Sequence, residues 1–224
     1  MPNKIEAIVF DLDGTLLDTL SNLANCYNRV LADQGLQTHE TEAYRHFIGD
    51  GARRCLTRCL DASNELDRLS ETEVDQLLEK QQKDYRTSWS SDVSIYSGIN
   101  PLIESIQTNN LPLAVLTNKD QEFAINCVNR FFPRGTFQCV QGFDQSVPHK
   151  PNPTGALMVA KALNVKPENM VLIGDTAVDI NTAKSANFVS IGALWGFRDR
   201  AELVSAGADH IVTTPAEVLE IVFT

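Results

Sequence analysis

The chain has 224 residues, room for one large domain or for a core domain carrying a smaller one. Hydrophobic residues make up 43% of it, which excludes disorder and supports a sizeable core. With 19 basic and 29 acidic residues its net charge is −10, so nucleic acids and membrane surfaces, both polyanionic, are poor partners. No apolar run approaches the roughly 18 residues of a membrane span. Met1–Glu6 has no apolar signal region and enters a strand directly. Cys26, Cys55, Cys59, Cys127 and Cys139 are scattered and odd in number. That usage fits buried thiols in a reducing cytoplasm better than a disulfide framework. Cys55 and Cys59 stand one helical turn apart, but no matching His/Cys pair follows to complete a zinc site.

Residues 5–11 read as a buried strand ending in the carboxylate of Asp11. Residues 19–89 then show no strand pattern. Leu20, Leu23, Ala24, Tyr27, Val30 and Leu31 recur at helical spacing, and Gly35 sits where a C-cap belongs. A short helix is expected around 40–47. A third opens after Gly49-Asp50-Gly51 and carries Ala52, Cys55, Leu56, Cys59 and Leu60. Ser70 with Glu73 forms a capping box for a helix whose apolar face is Val74, Leu77, Leu78 and Tyr85.

From Gly98 helices and strands alternate: helix 99–109, strand 113–116, helix 120–131, strand 137–140, helix 153–163, strand 170–173, helix 177–186 and strand 189–193. A short helix at 199–206, strand 210–212 and a helix from Pro215 follow. Such alternation implies a parallel, doubly wound sheet. The expected fold is therefore α/β: a discontinuous doubly wound core, residues 1–16 plus 92–224, with a small helical domain, 17–91, inserted after the first strand.

Ligands of such sheets bind outside the carboxyl ends of the strands. The first strand ends Asp11-Leu12-Asp13-Gly14-Thr15, the second Thr117-Asn118, and the fourth Gly174-Asp175-Thr176, with Asp179 following; the loop after the third carries Lys150. Asp11 and Asp13 are two apart, so in extended chain they share a face. Clustered acids cannot all ionise without a cation. Oxygen-only ligands at an open edge suit Mg²⁺, which keeps waters and a substrate phosphate. Gly14 lets backbone amides approach an anion, Lys150 adds positive charge, and Thr117 with Asn118 adds donors. A carboxylate nucleophile in this company fits phosphoryl transfer through an aspartyl-phosphate.

Asp11–Thr15, Leu116-Thr117-Asn118-Lys119, Lys150-Pro151-Asn152-Pro153 and Gly174–Asp179 resemble, in order, the four motifs of the haloacid dehalogenase superfamily. The resemblance covers essentially the whole chain. It implies Asp11 as nucleophile, Asp13 as general acid and base, and Gly14, Thr15, Thr117, Asn118 and Lys150 around the phosphoryl group. It implies Mg²⁺ on Asp11, the Asp13 backbone carbonyl and Asp175, with Asp179 orienting Lys150 or a metal-bound water. The helical insert resembles the superfamily's small cap. Within the superfamily the chain is most similar to phosphoglycolate phosphatases, through Phe10–Leu23, Ile48–Arg53, Leu116–Lys119 and Trp195–Arg198. It departs from them at Ser21-Asn22, where Pro-Asp is frequent, and at His149, where a second lysine is common.

A small phosphomonoester carrying a carboxylate suits the start of the third helix. Gly49 and Gly51 flank a helix N-terminus that can meet an anion, and Arg53 in its first turn can pair with a carboxylate. Arg198 is a further candidate. Other readings are a phosphatase for another metabolite, a pyrophosphatase, a sugar-phosphate mutase, or, outside enzymes, a phospho-accepting signalling module. The expected state is a monomer or homodimer.

Overall fold

The computed structural model describes residues 4–223. They form two compact units: a core of residues 4–18 and 94–223, and a helical unit, Thr19–Val93.

The core holds six parallel strands: β1 (Ala7–Phe10), β4 (Leu113–Asp120), β5 (Cys139–Phe143), β6 (Met170–Gly174), β7 (Val189–Ala193) and β8 (His210–Val212), in the spatial order β5-β4-β1-β6-β7-β8. Crossover helices separate them: α5 (Ile99–Thr108), α6 (Gln121–Phe131), α7 (Thr154–Leu163), α8 (Ala177–Ala186) and α9 (Arg200–Ala206), with α10 (Glu217–Val222) closing the chain. Every residue of β1 is fully buried, because a parallel sheet is covered on both faces and its central strands have no polar side. Ala7 and Val9 join Ala114, Leu116, Met170 and Leu172 on one face, packed by Ala156, Val159 and Ala160 of α7 and Ala183 and Ala186 of α8. The alanines let these helices lie close. Ile8 and Phe10 alternate to the other face, and burying side chains of that size stabilises the fold by about 1.5–3 kcal/mol each.

Topology places the site. β1 is bordered by β4 on one side and β6 on the other. The chain winds outward through β4 and β5, then returns across β1 to start again at β6. That reversal opens a crevice at the carboxyl ends of β1, β4 and β6.

Three features depart from the sequence expectations. Two-residue strands β2 (Leu17–Asp18) and β3 (Ser94–Ile95) pair antiparallel, with Leu17 opposite Ile95 and Asp18 opposite Ser94. They are too short to carry a periodic signal, and they move Leu17 and Asp18 into the core unit. β4 runs on through Thr117, Asn118 and Lys119 to Asp120, past a register shift after Leu116. β5 begins two residues later than expected, at Cys139.

The helical unit comprises α1 (Leu20–Asp33), α2 (Tyr44–Phe47), α3 (Ala52–Ala62) and α4 (Glu71–Ser88). The Ser70–Glu73 capping box opens α4. Its buried face is Val74, Leu77, Gln81 and Tyr85; Leu78 is half-buried and Gln81 takes its place, the amide nitrogen 3.4 Å from Cys26 Sγ. Asn22 of α1 donates to the carbonyls of Ser88 (2.6 Å) and Ser91 (2.7 Å), fastening α1 to the end of α4. No helix among the described residues is long and apolar enough to cross a membrane, and all five cysteines are unbridged.

Candidate active site

The crevice holds three buried carboxylates, Asp11 after β1, Asp175 after β6 and Asp179 in the first turn of α8. One oxygen from each lies within 4.8 Å of the others. Lys150 enters beside them. Its Nζ is 2.6 Å from Asp179 Oδ1, 2.9 Å from Asp11 Oδ1 and 3.1 Å from the Leu116 carbonyl. Burial works against the Lys150 charge, but Asp11 and Asp179 outweigh it and hold the ammonium protonated.

Each acid is set by its neighbours. Asp179 Oδ2 accepts from the Thr176 amide (3.1 Å) and hydroxyl (2.7 Å), while Oδ1 faces Lys150. Asp175 Oδ1 accepts from the Thr15 hydroxyl at 3.0 Å and Oδ2 from the Phe197 amide at 2.7 Å. Burial, with Asp179 and Asp11 adding to it, pushes Asp175 up to about 8. Burial likewise raises Asp11 to about 7, against the pull of Lys150. Asp11 Oδ1 touches Lys150 outside hydrogen-bond geometry, so this buried oxygen has no aligned donor. Three oxygen donors, two of them raised chiefly by burial and further by the neighbouring acids, and one oxygen without a donor together fit a small hard cation.

Other expected site residues have different tasks here. The Asp13 carboxylate does not join Asp11: beyond Phe10 the chain leaves the strand, and the Leu16 and Leu17 amides fold back onto the Leu12 carbonyl. Asp13 is held instead by Lys119 Nζ, 2.9 Å from both carboxylate oxygens. Gly14 was expected to let backbone amides approach an anion; its own amide donates to the Leu17 carbonyl. Its contribution is room: at φ +87°, a Cβ here would fall within 3.0 Å of the Asp175 carboxylate. Thr15 spends its hydroxyl on Asp175. Asn118 was expected at the phosphoryl group, yet its side chain grips the backbone of Lys150, accepting from its amide at 2.7 Å and donating to its carbonyl at 3.2 Å. Thr117 stays at the edge; its hydroxyl accepts from the Lys119 amide at 3.2 Å and can still donate.

Sequence reasoning placed Lys119 and the Trp195–Phe197 segment within stretches of family resemblance and gave them no task at the site. Lys119 lies two residues beyond Thr117 on the extended β4, hence on the same face, a spacing that could have flagged it. Trp195 Nε1 donates to the Thr15 carbonyl at 2.9 Å, so this loop after β7 borders the site.

In the helical unit Gly51 is the N-cap of α3. Arg53 forms an ion pair with Asp75 of α4, and Asp50 pairs with Arg58. Arg53 is thus exposed and paired within its own unit, and Gly49 and Gly51 beside it are half-buried. Arg198, in the core, pairs with Glu202 at 3.1 Å.

A family model for haloacid dehalogenase-like hydrolases matches residues 8–193, and the chain belongs to that family. The phosphoglycolate phosphatase of Colwellia psychrerythraea is 30% identical over 215 residues, 96% of this chain and 95% of that one. The phosphoglycolate phosphatase of Neisseria meningitidis is 29% identical over 223 residues, 96% and 93% of the two chains. A crystal structure from Lactobacillus delbrueckii subsp. bulgaricus matches with TM-score 0.93 at 29% identity over 98% of both chains. The β-phosphoglucomutase of Clostridium difficile matches with TM-score 0.77 at 27% identity, over 96% of this chain and 93% of that one. The chain is thus an enzyme, a hydrolase similar to the phosphatases of its family.

Proposed function

We propose that this hydrolase is a Mg²⁺-dependent phosphatase that cleaves a small phosphomonoester, 2-phosphoglycolate being the substrate its relatives and its cap residues favour. The observation that carries the reading is the pairing of Asp11 with Lys150, beside Asp175 and Asp179, at the crevice of a doubly wound sheet.

Asp11 attacks phosphorus in line, forming the acyl-phosphate bond as the ester P–O bond breaks. Asp13 gives its proton to the departing alkoxide. Water then attacks the acyl-phosphate, Asp13 takes the water's proton, and Asp11 is regenerated with release of phosphate. Lys150, fixed at its backbone by Asn118 and at its ammonium by Asp179 and the Leu116 carbonyl, meets charge on the phosphoryl oxygens. Thr117 contributes a donor. Asp11, Asp175 and the Asp13 carbonyl would hold Mg²⁺, with Asp179 at the edge of the set, and the ion supplies charge neutralisation for an anionic nucleophile meeting an anionic ester.

The helical unit is read as the cap that chooses the leaving group, through Gly49, Gly51 and Arg53. The five unbridged cysteines support a cytoplasmic location, and a monomer or homodimer is part of the same reading. Phosphate release across a panel of 2-phosphoglycolate, other phosphorylated metabolites, pyrophosphate and β-glucose 1-phosphate tests it. Steady multiple turnover with 2-phosphoglycolate as the best substrate supports the proposal. A single stoichiometric phosphorylation without release, or isomerisation of the sugar phosphate without hydrolysis, sinks it.

A further inference from the structure

We infer that Gly196, on the loop after β7, is a positioning residue that sets Asp175 to receive the divalent cation. The inference rests on the Mg²⁺ reading above and extends it to a residue that neither touches substrate nor offers a side-chain ligand.

Asp175 lies in a slot between two glycines. A Cβ on Gly14 would meet its carboxylate within 3.0 Å, and a Cβ on Gly196 would come equally close to Asp175 Cβ, Asp175 Oδ2 and the Gly14 carbonyl. Gly196 is buried and outside the left-handed region, so what it spares is volume and not backbone strain. The residues on either side of it complete the slot. Trp195 reaches over to the Thr15 carbonyl through its indole N–H, and Phe197 gives its amide to Asp175 Oδ2. Thr15 in turn gives its hydroxyl to Asp175 Oδ1. The loop after β7 and the turn after β1 are thereby laced together across Asp175, with one donor on each carboxylate oxygen. Each oxygen keeps a second lone pair to offer a cation. Outer contacts of this kind orient a ligand, and their loss weakens metal binding by about 10- to 100-fold.

Any methyl group at 196 must displace Asp175, the Gly14 carbonyl or the loop itself. Gly192 provides the control. It belongs to the same strand-and-loop segment, yet the three nearest atoms that a Cβ there would meet all belong to the Leu203 side chain, at 2.9 Å or more, and none to a carboxylate. The two substitutions therefore both strain packing, and only one strains the metal site.

The test is Mg²⁺ binding by the full chain, measured by calorimetric titration and by the Mg²⁺-dependent rise in thermal midpoint, for the parent, Gly196→Ala, Gly192→Ala and Trp195→Phe. Gly196→Ala is expected to bind Mg²⁺ at least tenfold more weakly. Gly192→Ala is expected to lose thermal stability but keep the parent affinity. Trp195→Phe removes one hydrogen bond without adding volume and is expected to weaken binding by about threefold. A folded Gly196→Ala that binds within twofold of the parent overturns the inference. If Gly196→Ala does not fold, unchanged affinity in Trp195→Phe overturns it. Equal losses in Gly192→Ala and Gly196→Ala also overturn it, since the effect would then be general loosening. A parent that binds no Mg²⁺ overturns the metal reading and this inference with it, an outcome distinct from the others.

Discussion

The carboxyl edge of the core and the start of α3 are both charged, but they are built differently. At the core edge Lys150 is about 5% exposed and tied to Asp179, Asp11, Leu116 and Asn118. At the start of α3 the Arg53 side chain is 47% exposed and has one partner, Asp75, itself 56% exposed. Every contact at the core edge is fixed by several others, whereas the contact at α3 depends on two long, solvated side chains. Exposed pairs of that kind contribute about 0.2–1 kcal/mol. Chemistry demands the first arrangement, because a misplaced nucleophile loses orders of magnitude in rate. The proposed choice of leaving group at α3 would draw on one or two contacts of the second kind.

The sharpest way to break this contrast is at Asp11. Asp11→Asn keeps shape and removes the nucleophile, so turnover should fall by about 10⁴ or more with the circular dichroism spectrum unchanged. Activity within tenfold of the parent would show that the core edge is not the reaction centre.

Lys150→Met comes next. It leaves Asp11 and Asp179 without their shared counter-charge, and breaking a buried pair by removing one partner costs about 3–5 kcal/mol. Asp11 should then rise further and be protonated at neutral pH, so turnover should drop by about 10²–10³. Chemical denaturation and initial rates measure the two effects separately. An unaltered denaturation midpoint would mean that the pair does not hold the edge together.

The acids themselves give a pH signature in the Mg²⁺-free protein. Asp11 at about 7 and Asp175 at about 8 lie above the ordinary 3.8. Groups raised on folding bind protons more tightly when folded. Their contribution is complete below about pH 4 and is lost as pH rises through about 7 to 8. The thermal midpoint without metal should therefore decline between about pH 5 and 8.5, all else in the protein contributing a gentler slope. Mg²⁺ should restore most at the upper end, since it binds the ionised carboxylates and releases their protons. A Mg²⁺ effect that is the same at pH 5.5 and 8.5 would contradict the cation site.

The smallest effect belongs to α3. Arg53→Ala should lower kcat/KM for 2-phosphoglycolate by 10- to 100-fold, on the order of 1.4–2.8 kcal/mol, and leave an aryl phosphate nearly untouched. Asp75→Asn sharpens the comparison: it frees Arg53 from its present partner, so it should not impair phosphoglycolate turnover. Equal losses on both substrates in Arg53→Ala would place the carboxylate contact elsewhere.

Much of the core was legible because its signals are local. The alternation of buried strands with amphipathic helices, Ala7–Phe10 against α5 to α8, is written residue by residue, and so is the capping box at Ser70. What escaped depends on partners distant in sequence. β2 and β3 are each two residues long and exist only as a pair. β4 could not be followed past Leu116 because Thr117-Asn118-Lys119 is polar, and polar residues in a strand make sense only at a site. The acids were visible as a set, but not their division: Asp11 joins Asp175 and Asp179, while Asp13 joins a lysine 106 positions away. The hydrogen bonds from Thr15 to Asp175 and from Lys150 to Asn118 span 160 and 32 positions, and a motif tells where a residue stands and not which neighbour reaches it first.

The short ribbon of β2 and β3 has a consequence for how such a chain can be altered. Leu17 lies directly opposite Ile95 and Asp18 opposite Ser94, so the points where the helical unit leaves and rejoins the core are adjacent, about 5 Å apart between Cα atoms. The 75 residues Thr19–Val93 therefore form a detachable parenthesis. A two-residue hairpin turn spans the same gap, and so does any other module whose ends meet. The six strands of the sheet and the four acids all lie outside the exchanged residues. If the helical unit chooses the leaving group as proposed, one ribbon is the place at which that choice would be exchanged by cut-and-paste.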